Sequence, residues 1–309
     1  HSLEVALEND FSAAALRAYV NMAEMMFRLG RYEESLDKYE EGLALARRVG
    51  NRVWEWALLA EMTFPLFVVG RWNEAVERSS QIPETEMARA DILGPLLSLP
   101  LIAVIRQDLE GAKRVLSVFS RFESSEDIQE RAAHAVARAV THRADKDAEG
   151  ALGAAEEAIR LGRQIGPDSQ MLMMGLDQGL EAAFATSDLA SAQGLLDIID
   201  SLHSGQMTPM LRAIRGRFGA RLAMVRGLDR EAEAGFKQAV GMFREITAPY
   251  WLATTLVEFG EWLVSQGNTQ QAGPLLAEAG RIFEDLDAPS GLERVSRARR
   301  PTEPHAAKS

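Results

Sequence analysis

The chain has 309 residues, 47% of them apolar, and a formal net charge of -11; it is long enough to bury a large core and too acidic overall to favour nucleic-acid phosphates. It has no cysteine, which excludes disulfides, thiol catalysis and cysteine-ligated zinc and permits a reducing, cytoplasmic setting. Alanine, leucine, glutamate and arginine dominate and strand formers stand singly inside helical patterns, so the expected class is all-α.

In chain order, His1 and Ser2 come first, with neither an initiating methionine nor a charged, apolar leader. The expectation is a segment with further sequence upstream. A first helical hairpin is expected from near residue 16, turning at Gly30 and resuming with Ser35, Tyr39 and Gly42 on one helix face. The second starts near 56, turns at Gly70 and continues through Ala75, Ser79 and Ile82. The third starts near 93 within the most apolar run, Ile92 to Ile105, which is too short for an ordinary membrane span and holds Pro95 and Pro100. It reads as buried, with Pro100 tending to kink its helix. Hairpins then start near 132, 173, 213 and 253.

The small residue early in each second helix is Ser35, Ala75, Ala112, Ala151, Ala192, Ala232 and Ala272, at intervals of 40, 37, 39, 41, 40 and 40 residues. Five residues before it stand Gly30, Gly70, Gln107, Lys146, Ser187, Gly227 and Gly267. Glycine there suits a left-handed residue that ends a helix. Asp108, Asp147, Asp188 or Asn268 follows in four of the repeats and is expected to cap the next helix, Asn268 with Gln271 as a capping box. Second helices are expected to stop near Gly50, Gly166, Ala248-Pro249 and Ala288-Pro289. Residues 291–309 read as a capping helix flanked by Arg294, Arg297, Arg299 and Arg300, then a disordered tail around Pro301 and Pro304.

A period near 40 residues with a helix-turn-helix layout resembles the tetratricopeptide repeat, whose unit is roughly 34 residues. Tyr19, Ala23, Gly30, Tyr32, Ser35 and Tyr39 carry the resemblance in the first repeat, and Gly260, Ala272 and Ala279 in the last. It implies a right-handed α-α superhelix, a TPR-like solenoid of about seven repeats, as a single domain over 3–290. A narrower resemblance, to the carboxy-terminal helical arrays of large bacterial signalling ATPases, transcriptional regulators and adenylate cyclase-like proteins, implies a regulatory or sensory region.

First helices line the inner curve in that family. Carried onto this chain, the family's offsets give Arg17, Val20, Glu24 and Phe27, then Ala57, Ala60, Phe64 and Phe67, then Leu97, Leu101 and Val104. Two readings compete for Phe64, Phe67, Leu97 and Leu101: core packing in a distorted repeat, or a hydrophobic groove. Later repeats give Asp177 and Glu181, Arg217 and Arg221, and Glu258 and Glu261, either a self-compensated ladder of charge or an arginine site for a carboxylate. The lysine-and-asparagine clamp of chaperone-binding relatives is not expected, because Val20 and Glu24 stand at the comparable positions.

The methionines Met22, Met25, Met26, Met171, Met173 and Met174 and all five tryptophans read as packing residues rather than an aromatic cage. His134 and His142 stand eight residues apart, out of phase on a helix, and no phosphate loop or nucleophile-base pair is present. No catalytic residue, metal or cofactor is therefore expected. The sequence implies a noncatalytic scaffold for a protein or peptide, which could be another domain of its parent chain, with small-ligand sensing as the alternative. Neither nucleic acid nor membrane is an expected partner, and a homodimer through exposed repeat ends stays open.

Overall fold

The computed structural model describes residues 11–87 and 92–300. The expected start of the domain at residue 3 and the tail around Pro301 and Pro304 lie outside the described residues. Among the described residues every regular element is helical. The fold is a right-handed solenoid of helix hairpins: α1 (Ser12–Arg28) with α2 (Tyr32–Arg48), then α3 (Arg52–Glu61) and α4 (Thr63–Val68) with α5 (Trp72–Ser80). After α6 (Glu84–Met87) come α7 (Gly94–Ile105) with α8 (Leu109–Val118), α9 (Ile128–Ala144) with α10 (Ala148–Ile165), and α11 (Gln170–Ala185) with α12 (Leu189–Asp200). The series ends with α13 (Pro209–Val225) and α14 (Asp229–Glu245), α15 (Pro249–Ser265) and α16 (Thr269–Asp285), and α17 (Pro289–Ala298), which packs on both α15 and α16.

Each hairpin turn uses one device. The backbone is left-handed at Gly30, Gly70, Gly227 and Gly267, and also at Gln107, Lys146 and Ser187, which occupy the same place in their repeats. At Gly30 the Arg31 amide donates to Met26 O at 2.9 Å and the Gly30 amide to Phe27 O at 2.9 Å, the paired bonds that close a helix C-terminus. Asp108, Asp147 and Asp188 accept amide hydrogen bonds from Gly111, Gly150 and Ser191 at the next helix start. Asn268 makes no side-chain cap. The expected capping box there is absent; Gln271 N donates instead to the Asn268 carbonyl.

Pro249 and Pro289, expected as stop signals, are instead the first residues of α15 and α17, where a missing amide costs no helical bond. The left-handed residues that end the preceding helices are Thr247 and Asp287. Pro100 sits within α7, a single helical element from Gly94 to Ile105. The first helix of the second repeat, by contrast, is divided into α3 and α4, with Pro65 in the first turn of α4.

The packing is asymmetric. Residues 171–180 of α11 and 251–260 of α15 are all buried, so these first helices lie inside the stack. Second helices such as α14 and α16 bury one stripe and expose the opposite face. The small residues Ser35, Ala75, Ala112, Ala151, Ala192, Ala232 and Ala272 are all buried, where they let paired helices approach.

The solenoid also closes on itself. The turn at Gly30 lies against Pro209 and Ile246, and a methyl added at Gly70 would stand 2.8 Å from both Pro249 and Leu286. Ser290 Oγ donates to Ile105 O at 3.0 Å, and Gln107 Nε2 to Glu293 Oε1 at 3.0 Å. Each of these turns touches the layer five repeats later, so a nearly continuous core runs from Ala15 to Val295.

Candidate binding site

Tight closure decides the fate of the expected groove. Phe27, Phe64, Phe67, Leu97 and Leu101 are buried in the common core and line no open groove. Phe67 packs edge-on against Trp251 at 5.4 Å and stacks on Trp72 at 5.7 Å, and Phe64 lies 5.6 Å from Phe27. The physical reason is the superhelical turn: at five repeats, first helices from opposite sides meet and exclude the space that an open curve would leave.

The polar candidates meet inside the later repeats. Arg217, 1% exposed, donates Nε to Glu258 Oε2 at 2.7 Å and Nη2 to Glu258 Oε1 at 2.6 Å, a bidentate pair. Its Nη2 also reaches Glu181 Oε1 at 2.5 Å, and Arg221 donates to Glu181 Oε2 at 3.1 Å. Phe184 and Phe218 stack on each other at 5.8 Å beside this cluster, with Arg221 Cζ 4.3 Å from the Phe184 ring centre and Arg217 Cζ 4.6 Å from that of Phe218. Arg294 holds Glu261 through two hydrogen bonds at 3.0 and 2.7 Å.

Burial raises the carboxyls of Glu181 and Glu258, but Arg217 and Arg221 outweigh it and hold both below the usual glutamate range. Asp177 differs: burial pushes it up to about 6, opposed by Arg217, whose nearest nitrogen is 4.0 Å away. Trp251 Nε1 donates to Asp177 Oδ1 at 3.3 Å. The arginine forks are thus engaged by carboxylates of the chain itself, the geometry of a compensated ladder rather than of a receptor for an external anion.

Open space survives at one end. A cavity of about 1270 Å³ is lined by Arg17, Val20, Asn21, Glu24 and Arg28 of α1, by Trp54, Trp56, Ala57 and Glu61 of α3, and by Ile92 and Leu93 ahead of α7. Residues around the start of α9, including Arg121, Ser125, Asp127 and Glu130, form the far wall with Asp168, Ser169 and Met171 ahead of and within α11. Arg28 Nη1 reaches Asp168 Oδ2 at 2.9 Å and closes the rim between the first and fifth repeats.

Of the sequence candidates, only Arg17 and Glu24 lie here, with Val20 and Ala57 from the wider set of offsets. Trp54 and Trp56, read as packing residues, line the cavity, and Arg17 Cζ lies 5.7 Å from the Trp54 ring centre. Asn21 and Arg28 share the helix stripe of Arg17 and Glu24 and were accessible to a periodicity argument. The linker residues Arg121, Asp127, Glu130 and Asp168 were not, since only superhelical closure brings them opposite α1. His134 and His142 lie elsewhere; His134 is buried, and His142 Nδ1 stands 2.8 Å from Asp147 Oδ2. Among the described residues, no three His, Asp or Glu side chains converge as a metal ion would require, and no helix is long and apolar enough to cross a membrane.

Comparison with solved structures pairs this chain with a Rap protein complexed with competence and sporulation factor, at a TM-score of 0.66 and 10% identity over 91% of this chain and 80% of that one. The fold is that of a TPR-like helical-repeat solenoid. BtubC (BKLC) from P. vanneervenii also matches, at a TM-score of 0.41 and 14% identity over 90% of this chain and 96% of that one. No family model and no curated protein matches the sequence.

Proposed function

We propose that this chain is a noncatalytic binding scaffold that takes a short peptide or protein segment into the end cavity. It serves as the cytoplasmic regulatory or sensory region of a bacterial signalling or transcription-regulatory protein. The observation that carries this reading is the cavity itself: about 1270 Å³, walled by helices and linkers from five successive repeats, with indole rings beside charged groups. Concave, partly apolar sites with a few placed polar groups are the usual form of a ligand site, and this one exceeds the roughly 300–1,000 Å³ common for drug-sized ligands. The Rap structure is a complex with a factor, which supports a ligand-holding use of this architecture.

The test is hydrogen exchange on the full chain with pooled hexapeptides. Added protection is expected in 17–28, 53–61, 121–130 and 165–171, with a change in tryptophan emission. Protection confined to the outer faces of second helices would overturn the cavity as the site. A second reading, small-ligand sensing, is favoured by the burial of Phe64, Phe67, Leu97 and Leu101, which packs the expected groove residues into the core of the described chain. Protection by a pooled metabolite extract, with none from peptides, would establish it instead.

A further inference from the structure

We propose that Glu130 receives a cationic group, ammonium or guanidinium, from the molecule that enters the cavity. The inference rests on the binding reading above and adds the chemistry of its ligand.

Glu130 lies in the first turn of α9, is 7% exposed and lines the cavity. The other buried carboxylates are all engaged: Glu55 by Arg47 and Arg52, Asp177 by Trp251 and Gln178, Glu258 by Arg217. Glu130 has no hydrogen bond or ion pair with any described residue. Carboxylates on buried residues are ordinarily paired; neither oxygen of Glu130 is sealed from solvent, so the group faces the cavity rather than the core. The positive end of α9 accounts for an acid in this turn, since acids favour helix N-termini at the surface as well. It does not account for this one facing the cavity with no partner among the described residues.

The rest of the lining points the same way. Its three arginines already have partners: Arg28 with Asp168, Arg17 over the Trp54 ring and Arg121 over the Phe122 ring at 5.2 Å. Glu24 adds acid to the same space. Trp56 supplies aromatic surface of the kind that attracts cations and covers the methylene stems of lysine or arginine. A cation entering here would find a carboxylate without a partner among the described residues, its oxygens open to the cavity and free to accept charge-assisted hydrogen bonds.

The cation could come from a peptide amino terminus, a lysine or arginine side chain, or a free polyamine, and the experiment separates them. A positional-scanning hexapeptide library is titrated against wild type and Glu130→Gln by calorimetry. The best peptide is then remade with an acetylated amino terminus, or with citrulline or norleucine for each basic residue; spermidine is titrated alone. One of these neutralisations, or loss of spermidine binding where spermidine is the ligand, is expected to weaken binding at least tenfold in wild type and little in Glu130→Gln. The variant should bind the parent molecule at least tenfold more weakly, melt no lower than wild type and keep its exchange pattern in α9. Glu123→Gln, outside the lining, should match wild type. Equal binding of neutral and cationic peptides, unchanged binding by Glu130→Gln, or a lower melting point for that variant would overturn the proposal while leaving the binding reading intact. If neither peptide nor spermidine binds, the peptide-binding reading falls and this inference falls with it.

Discussion

At the scale of single residues, the interior of the later repeats holds two arginines, Arg217 and Arg221, and three carboxylates with opposed titrations. Asp177 is pushed up from 3.8 to about 6 by burial, with Glu181 adding to the push and Arg217 and Arg143 opposing it. Between those values the folded chain keeps a proton that the unfolded chain has released, so this contribution is fully present at low pH and is lost as pH rises through about 6. Glu181 and Glu258 run the other way; their contribution is present at neutral pH and is lost as pH falls through their lowered values. Asp177→Asn removes the first effect and can keep an acceptor for Trp251. Its stability relative to wild type should improve by about 2 kcal/mol between pH 4.5 and pH 7.5. Denaturant unfolding at both pH values reads this directly, and a pH-independent difference would contradict it. Arg217 and Glu258 were legible as candidates from helix offsets, and their compensation as one of two readings; the pairing itself was not, because they stand 41 residues apart and meet only through stacking.

At the scale of elements, the turn device repeats while its residues do not. The left-handed position accepts glycine in four repeats and glutamine, lysine or serine in three, because the paired backbone hydrogen bonds recur regardless. The caps split in a testable way. Asp188→Ala should cost about 1 kcal/mol, since Asp188 accepts from both the Ser191 amide and hydroxyl, at 3.0 and 2.7 Å. Asn268→Ala should change stability by no more than a few tenths of that, because its side chain caps nothing. Thermal melts of the pair suffice; equal losses would refute the assignment. Spacing made the aspartates legible. It could not tell Asn268 apart, since the turn residue types were alike and the difference lies in side-chain placement.

At the scale of the whole molecule, closure after five repeats makes the chain differ from an open array whose layers meet only their neighbours. Phe67 in the second repeat contacts Trp251 and Tyr250 in the seventh, and α7 meets α17. Phe67→Ala should therefore cost about 3–5 kcal/mol and loosen two distant places together. Hydrogen exchange should show the first turns of α15 losing protection along with α4. Loss confined to α3 through α7 would mean that closure contributes little.

The sequence by itself determined the helical class, the period near 40 residues, the hairpin turns and the small residues at each helix crossing. These are local matters, governed by side-chain periodicity and backbone conformation within one repeat. Tertiary structure alone decided which inward-facing residues see solvent. The offsets that place Arg17 and Glu24 on the cavity place Phe67 and Leu101 in the core, because the rotation from one layer to the next sets where opposite walls meet. That rotation accumulates over many interfaces, and a small change in each one moves residues 180 positions apart into contact or out of it.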